Sequence, residues 1–272
     1  MKETIIEVRS LERTYRKGPK ALDGVDLDVE RGVRFALLGP NGAGKSTLTR
    51  ILCTLSKADA GAVRICGIPS SAGSVAVRSR IGVALQAVQT DPGATVRDQL
   101  RFQGRLFGMD ARAARERAED LIERFDLGEA AGRKAGDLSG GTKRRLHVAL
   151  ALVHGPELLF LDEPTAGMDP EVRALFWGEI LRRNREEGTT IFFTTQYLEE
   201  AERHAESLAV IHGGRIAYRG TPSDFTARYA GAVSDGPGDL ESGYLAFLET
   251  RRGTASPEDR SVPAGGKEAV RA

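Results

Sequence analysis

The run Gly39-Pro40-Asn41-Gly42-Ala43-Gly44-Lys45-Ser46-Thr47 decides the fold. It fits G-x-x-x-x-G-K-[ST], a glycine-rich turn whose amides cradle phosphate. The apolar run Phe35-Ala36-Leu37-Leu38 before it reads as a buried strand, and Leu48, Ile51, Leu52 and Leu55 after it recur at helical spacing. Strand, loop and helix form the context that the pattern requires. Gly42 and Gly44 let backbone N–H groups turn inward without side-chain clashes. Converging amides at a helix N-terminus, with the helix dipole behind them, favour an anion. Lys45 adds a full positive charge at the β- and γ-phosphates, and Ser46 offers a hydroxyl to Mg²⁺. A glycine-rich turn with a solvated lysine is the plainer reading, and the flanking strand and helix weigh against it.

Composition sets the bounds. At 272 residues and 40% hydrophobic content, the chain is long enough for one α/β domain with a proper core. A net charge of +1 gives no global field for nucleic acid or an anionic membrane. Lysines are a small minority of the 39 basic residues, a skew that reads as codon usage more than function. Cys53 and Cys66 have no metal-ligand spacing and are expected as buried thiols in a reducing compartment. The first residues lack the apolar core of a secretion signal. No apolar run approaches the roughly 18 residues needed to span a bilayer. Any membrane role is therefore expected to come through a partner.

Along the chain, strands are predicted over 4–9, 21–29, 62–66 and 81–85, with Tyr15 in a polar loop and Gln86 at the last strand's end. Gly61 and Gly67 are read as closing the third. Residues 95–154 carry no strand signal and read as a helical insert. Helices are predicted over 95–107 and 111–125, the second with Arg112/Glu116 and Arg115/Glu119 pairs at i,i+4. Asp126-Leu127-Gly128 stops it, and Ser139 is placed to cap a third helix. An apolar strand over 158–161 ends in Asp162-Glu163-Pro164. A helix over 170–187 ends at Gly188, a strand over 190–195 ends at Gln196, and a hairpin pairs 208–211 with 215–218. Pro222 opens a helix to Tyr229. Beyond residue 231, glycine, proline, serine and charge predict a mobile tail with a short helix near 240–249.

The strand over 158–161 delivers two carboxylates to its C-terminal end, the end where open parallel sheets bind ligands. Asp162 there suits Mg²⁺ beside the phosphate loop. Glu163 could orient and deprotonate an attacking water.

Six segments in order carry a resemblance: Tyr15, residues 39–47, Gln86, Leu138-Ser139-Gly140-Gly141-Thr142, residues 158–164 and Ala166-Gly167-Met168-Asp169-Pro170. Over about residues 4–230 the chain resembles the nucleotide-binding subunit of ATP-binding cassette (ABC) transporters. Within that family it is most similar to bacterial drug-exporter subunits of the daunorubicin-resistance type, which share Thr-Thr-Gln ending at Gln196 and Gly-Thr-Pro at 220–222. The resemblance implies an α/β P-loop NTPase with a mixed sheet core, an N-terminal antiparallel β subdomain and a helical subdomain inserted at about 87–155. The cassette would span 1–230 and the tail 231–272.

The resemblance also implies roles. Tyr15 would stack on adenine, unless it is merely an exposed loop tyrosine. Gly42, Gly44, Lys45, Ser46 and Thr47 would hold the phosphates of ATP, with Asn41 supporting the loop. Ser46, Gln86 and Asp162 would hold Mg²⁺. Gln86 would also contact the attacking water and couple to a membrane partner, unless it is only a polar strand end. Glu163 would be the general base, and Thr165 is read as structural. Ser139, Gly140 and Gly141 would close over the γ-phosphate held by a second copy in a head-to-tail homodimer. Asp169 would sit at that dimer's seam while capping the helix that Pro170 begins. Thr142 stands where the family's signature carries glutamine, and Gln196 where it carries histidine, so hydrolysis is expected to be slow and dominated by Glu163.

The function implied is that of an exporter's ATPase subunit. It would bind and hydrolyse MgATP to drive a separate permease, an integral membrane protein, in the efflux of a drug or antibiotic. It would sit peripherally on the cytoplasmic face of the membrane and take no nucleic acid. The alternative is a soluble ABC ATPase not linked to transport. The short stretch between Gln86 and Ser139 leaves no room for the coiled coils of DNA-repair types, and a single cassette argues against translation factors. A module that binds nucleotide without hydrolysing it is disfavoured by the intact Asp162-Glu163 pair.

Overall fold

The computed structural model describes residues 3–15, 18–71, 73–85, 90–230 and 238–253. Gln86 lies outside the described residues. In chain order the elements begin β1 (Thr4–Thr14), β2 (Lys20–Glu30), β3 (Arg34–Leu38), α1 (Lys45–Leu52), β4 (Ala60–Ile65), β5 (Ile68–Pro69), α2 (Val75–Arg78) and β6 (Ile81–Ala84). The helical insert follows as α3 (Val96–Leu106), α4 (Ala111–Arg124) and α5 (Gly140–Leu152). The core resumes with β7 (Leu158–Asp162), α6 (Pro170–Glu187), β8 (Thr190–Thr194), α7 (Leu198–His204), β9 (Ser207–His212) and β10 (Arg215–Gly220). Helices α8 (Pro222–Tyr229) and α9 (Leu240–Gly253) come last.

Two sheets build the first unit. One is antiparallel, in the order β2-β1-β4-β5. Alternating apolar residues such as Val8 and Leu27, paired in register, give it one buried face. The other has the order β10-β9-β3-β8-β7-β6, parallel except for the β9–β10 hairpin. Strands β7 and β8 are buried along their whole length and β3 along all but Arg34, which is why they read as unbroken apolar runs. Leu37 lies beside Thr194 and Thr194 beside Asp162, so the loops leaving β3, β8 and β7 open on one edge.

Three local expectations are corrected. Gly61 does not close a strand but lies inside β4 with φ of +91°. A Cβ there would fall 2.4 Å from the Ser10 carbonyl oxygen, and the β1–β4 register shifts at the same place, so the position is a bulge. Cys66 is not in the strand. It forms with Gly67 a two-residue turn, both at positive φ, that joins β4 to β5. Glu119 does not pair with Arg115. Two guanidiniums of α3 take it instead, Arg97 at 2.9 Å and Arg101 at 3.0 Å, because helix packing brings them closer than the neighbour one turn away. The Arg112–Glu116 pair forms at 2.8 Å.

Cys53 and Cys66 are buried and free. Burial pushes the Cys53 thiol well up and that of Cys66 up to about 11. Among the described residues, no helix is long and apolar enough to cross a membrane. The chain divides into two compact units between Thr221 and Pro222. Helix α8 therefore groups with α9, whereas the sequence reading ends the first domain at residue 230. In that second unit Phe225, Tyr229 and Phe247 pack ring against ring at 4.8–5.9 Å.

A candidate nucleotide site at the strand ends

The phosphate loop is shaped by backbone that other residues rarely adopt. Gly42 and Gly44 have φ of +80° and +113°. A Cβ on Gly44 would also lie 2.6 Å from the Ala21 carbonyl oxygen, so β2 packs directly against the loop. Helix α1 starts at Lys45 with no side chain capping it. Its first amides are left facing the cleft, an anion site by construction.

The cleft itself is an open cavity of about 390 Å³. Its walls are Asn41, Gly42, Gly44, Lys45, Ser46 and Thr47 from the loop, Asp162 and Glu163 from the end of β7, Gln196 from the end of β8, and Ala21. Lys45 folds over the loop and donates from Nζ to the carbonyl oxygens of Gly39 at 2.6 Å and Pro40 at 3.1 Å. Burial lowers its pKa, and the charges of Glu163 and Asp162 work against that. Asp162 is buried and accepts a hydrogen bond from Thr194 Oγ1. Glu163 has φ of +47°, uncommon for a residue with a Cβ, and its N–H donates to the Thr194 carbonyl at 3.0 Å.

Among the described residues, no three His, Cys, Asp or Glu side chains cluster as a metal cage. Two carboxylates, Asp162 and Glu163, and two hydroxyls, Ser46 and Thr47, line the phosphate cleft instead. That donor set fits magnesium, which keeps several waters and takes substrate phosphate oxygens as ligands.

Tyr15 stands at the rim, its hydroxyl 3.5 Å from Thr47 Oγ1 and its ring 5.1 Å from the Arg13 guanidinium. Ser139 caps α5 by accepting from the Thr142 N–H at 3.2 Å. Asp169 caps α6 by accepting from the Val172 N–H at 3.0 Å, with Pro170 next. Neither Ser139, Gly140, Gly141 nor Asp169 lines the cleft that Lys45 and Glu163 share. The fold thus gathers the loop, Asp162, Glu163 and Gln196, and leaves the signature segment outside.

Sequence reading missed three supporting side chains. Thr194 fastens Asp162. Glu200, buried on α7, accepts from Thr195 Oγ1 at 2.9 Å and from Thr165 Oγ1. Arg144, buried on α5, donates to the carbonyl oxygens at the end of β7. A signal for Arg144 was present: it falls at i, i+4, i+7 with Val148 and Ala151, on a face that is buried throughout.

The sequence profile of the ABC transporter family matches residues 22–166. The daunorubicin resistance ATP-binding protein DrrA3 of Streptomyces coeruleorubidus is 44% identical over 231 residues, 85% of this chain and 72% of its own length. The Nod factor export ATP-binding protein I of Paraburkholderia xenovorans (strain LB400) is 43% identical over 232 residues, 85% of this chain and 75% of that protein. A solved ATP-binding cassette, captured as a dimer in a post-hydrolysis state with ADP and Pi, aligns with a TM-score of 0.74 at 25% identity, over 79% of this chain and 98% of its own. An ATP-binding subunit of an ABC transporter aligns at 0.81 and 26% identity, over 90% and 100%. Strand order, phosphate loop and carboxylate pair agree with these likenesses, and the chain belongs to the ABC transporter family as one of its ATP-binding, ATP-hydrolysing subunits.

Proposed function

We propose that this subunit powers an exporter as a head-to-tail pair, bound at the cytoplasmic face of the membrane through a separate permease. The observation that carries the reading is the split site. Lys45 and Glu163 line one cleft, while Ser139–Gly141 cap a helix elsewhere on the same chain. Each copy therefore offers one half-site of each kind. A second copy turned about a two-fold axis would bring the exposed amides of Gly140 and Gly141 to the γ-phosphate and Asp169 to the seam. The dimeric cassette captured with ADP and Pi supports such a pairing.

The residues then divide the chemistry. Loop amides and Lys45 would hold the β- and γ-phosphates, and Tyr15, beside Thr47, would stack on adenine. Ser46 and Asp162, with Gln86 from beyond the described residues, would hold a magnesium ion that neutralises charge on the phosphate oxygens. Glu163 accepts the proton of the attacking water as its oxygen bonds to the γ-phosphorus and ADP departs. Gln196 donates an amide hydrogen bond to the γ-phosphate but cannot carry a proton's charge, which favours slow turnover.

Phe102 and Leu106 are exposed on α3, with Leu55 exposed near the end of α1. This apolar surface on and beside the helical insert is the docking face proposed for the permease. Relatives named for daunorubicin resistance and for Nod factor export support efflux of a drug or antibiotic as this chain's role. Phosphate release from wild type, abolished in Lys45→Ala, and ATP-dependent dimerisation of Glu163→Gln in sizing columns test the site. Co-purification with an integral membrane protein tests the transport link. A chain that hydrolyses ATP but captures no membrane protein returns the reading to a soluble ATPase.

A further inference from the structure

Arg144 joins the two halves of the site within one chain. It lies one turn into α5, the helix that Ser139 caps, and is only 5% exposed. Among the described residues, its guanidinium donates to four main-chain carbonyls. Nε reaches Pro164 at 3.1 Å, Nη1 reaches Leu85 at 2.9 Å, and Nη2 reaches Glu163 at 2.5 Å and also Asp162. Leu85 immediately precedes Gln86. One planar fork therefore binds the signature helix to the ends of both β6 and β7. Burial lowers the pKa of this arginine, but a guanidinium keeps its charge in proteins.

The bonds fall on a strained residue. Glu163 holds a left-handed backbone at φ +47°. Such a conformation persists only where the surroundings over-determine it. Here its N–H is taken by Thr194 of β8 and its carbonyl by Arg144 of α5. With both peptide ends fixed, the Cα–Cβ direction of Glu163 is fixed too, and so is the line along which its carboxylate enters the cleft.

We propose that Arg144 is a positioning residue for hydrolysis, its guanidinium holding the Glu163 main chain to the helix that begins at Ser139, so that turnover depends on how the insert seats against the core. The inference rests on Glu163 being the general base. Arg144 touches neither water nor phosphate in this scheme and acts through Glu163 alone. Lysine cannot replace it fully, because an ammonium lacks the flat fork that meets four carbonyls at once.

The test uses the full chain with Mg²⁺ and ATP, following phosphate release, fluorescent-nucleotide binding and thermal unfolding together. Arg144→Met is expected to bind nucleotide within about threefold of wild type while kcat falls about 30-fold or more, the pattern of a group that matters in the transition state only. Arg144→Lys, the milder replacement if the methionine variant does not fold, is expected between the two with KM unchanged. The deciding measurement is the double variant. If Arg144 works through Glu163, Arg144→Met costs nothing further in a Glu163→Gln background. Loss of an arginine that only stabilises the fold would weaken nucleotide binding and kcat together, or multiply its loss onto Glu163→Gln, and either result overturns the proposal. Full turnover in a folded Arg144→Met, beside an inactive Glu163→Gln, overturns it while leaving the base assignment intact. Full turnover in Glu163→Gln removes both.

Discussion

Two strand ends enter the cleft side by side, and they are held in opposite ways. The end of β7, carrying Asp162 and Glu163, is gripped from a distance by Arg144 of the helical insert. The end of β8, carrying Gln196, is gripped locally by Glu200 of the helix that follows it. Glu200 accepts from Thr195 at 2.9 Å, from Trp177 Nε1 at 3.4 Å and from Thr165, with Arg173 Nε at 3.8 Å. A clasp made by the next helix travels with the core whatever the insert does. A clasp made by the insert couples its seat to Glu163, the proposed base. The difference teaches that the strand end bearing Glu163 is the one tied to the insert, so under the proposed roles a partner docked on the insert would act on the base rather than on Gln196.

The largest effect should come from the base. Glu163→Gln is expected to lose about 10³-fold in turnover, within the range for general-base removal, while nucleotide still binds. Phosphate-release assays settle it, and the β7 end ceases to dominate if Gln196→Ala proves the worse variant. Next comes Glu200→Ala. It leaves two buried hydroxyls and an indole N–H without their acceptor, which costs about 2–4 kcal/mol of stability. A clear fall in Tm is expected, with Glu200→Gln recovering most of it. An unchanged melting curve would show that the β8 end needs no clasp. Gln196→Ala should be smaller, about tenfold in kcat, the worth of one hydrogen bond to a charged group.

The smallest effect concerns pH and touches both helices that do the holding. Burial, helped by Arg144, pushes His147 on α5 down to about 4. Burial, helped by Arg203 and Arg34, pushes His204 at the end of α7 down to about 4 as well. Each folded-state value lies below the unfolded one of about 6.5, so the unfolded chain takes up protons first. Stability is then complete above about pH 6.5 and declines as pH falls toward 4. A loss on the order of 1 kcal/mol between pH 7.5 and 5.5 is expected, allowing for partial solvent screening of the rings. Urea midpoints at the two pH values measure it, and His147→Gln should flatten the dependence in proportion to that histidine's share.

Much of the site was legible because its signals are local. Residues 39–47 spell out a loop in which Gly42 and Gly44 take positive φ, and Ser139 and Asp169 show their capping role in the three residues that follow each. What escaped was long-range. The partner of Glu119 was sought one helical turn away at Arg115, whereas Arg97 and Arg101 reached it from α3. Arg144 drew no reading from the sequence, because nothing adjacent to it announces the carbonyls of Leu85, Asp162, Glu163 and Pro164. The Cys66-Gly67 turn was missed because a cysteine at positive φ is not a residue that turn preferences single out.

By itself the sequence carried the family and the phosphate-binding loop and, through the family resemblance, the roles expected of Asp162 and Glu163. Those depend on residue type and short spacing, which a linear string preserves. Only the tertiary structure decided which helix holds which strand end, which buried charges serve as anchors, and that Ser139, Gly140 and Gly141 do not line the cleft of Lys45 and Glu163. Those depend on strand order in a sheet, and a sheet brings residues together at a loop-closure cost that grows only slowly with their separation along the chain.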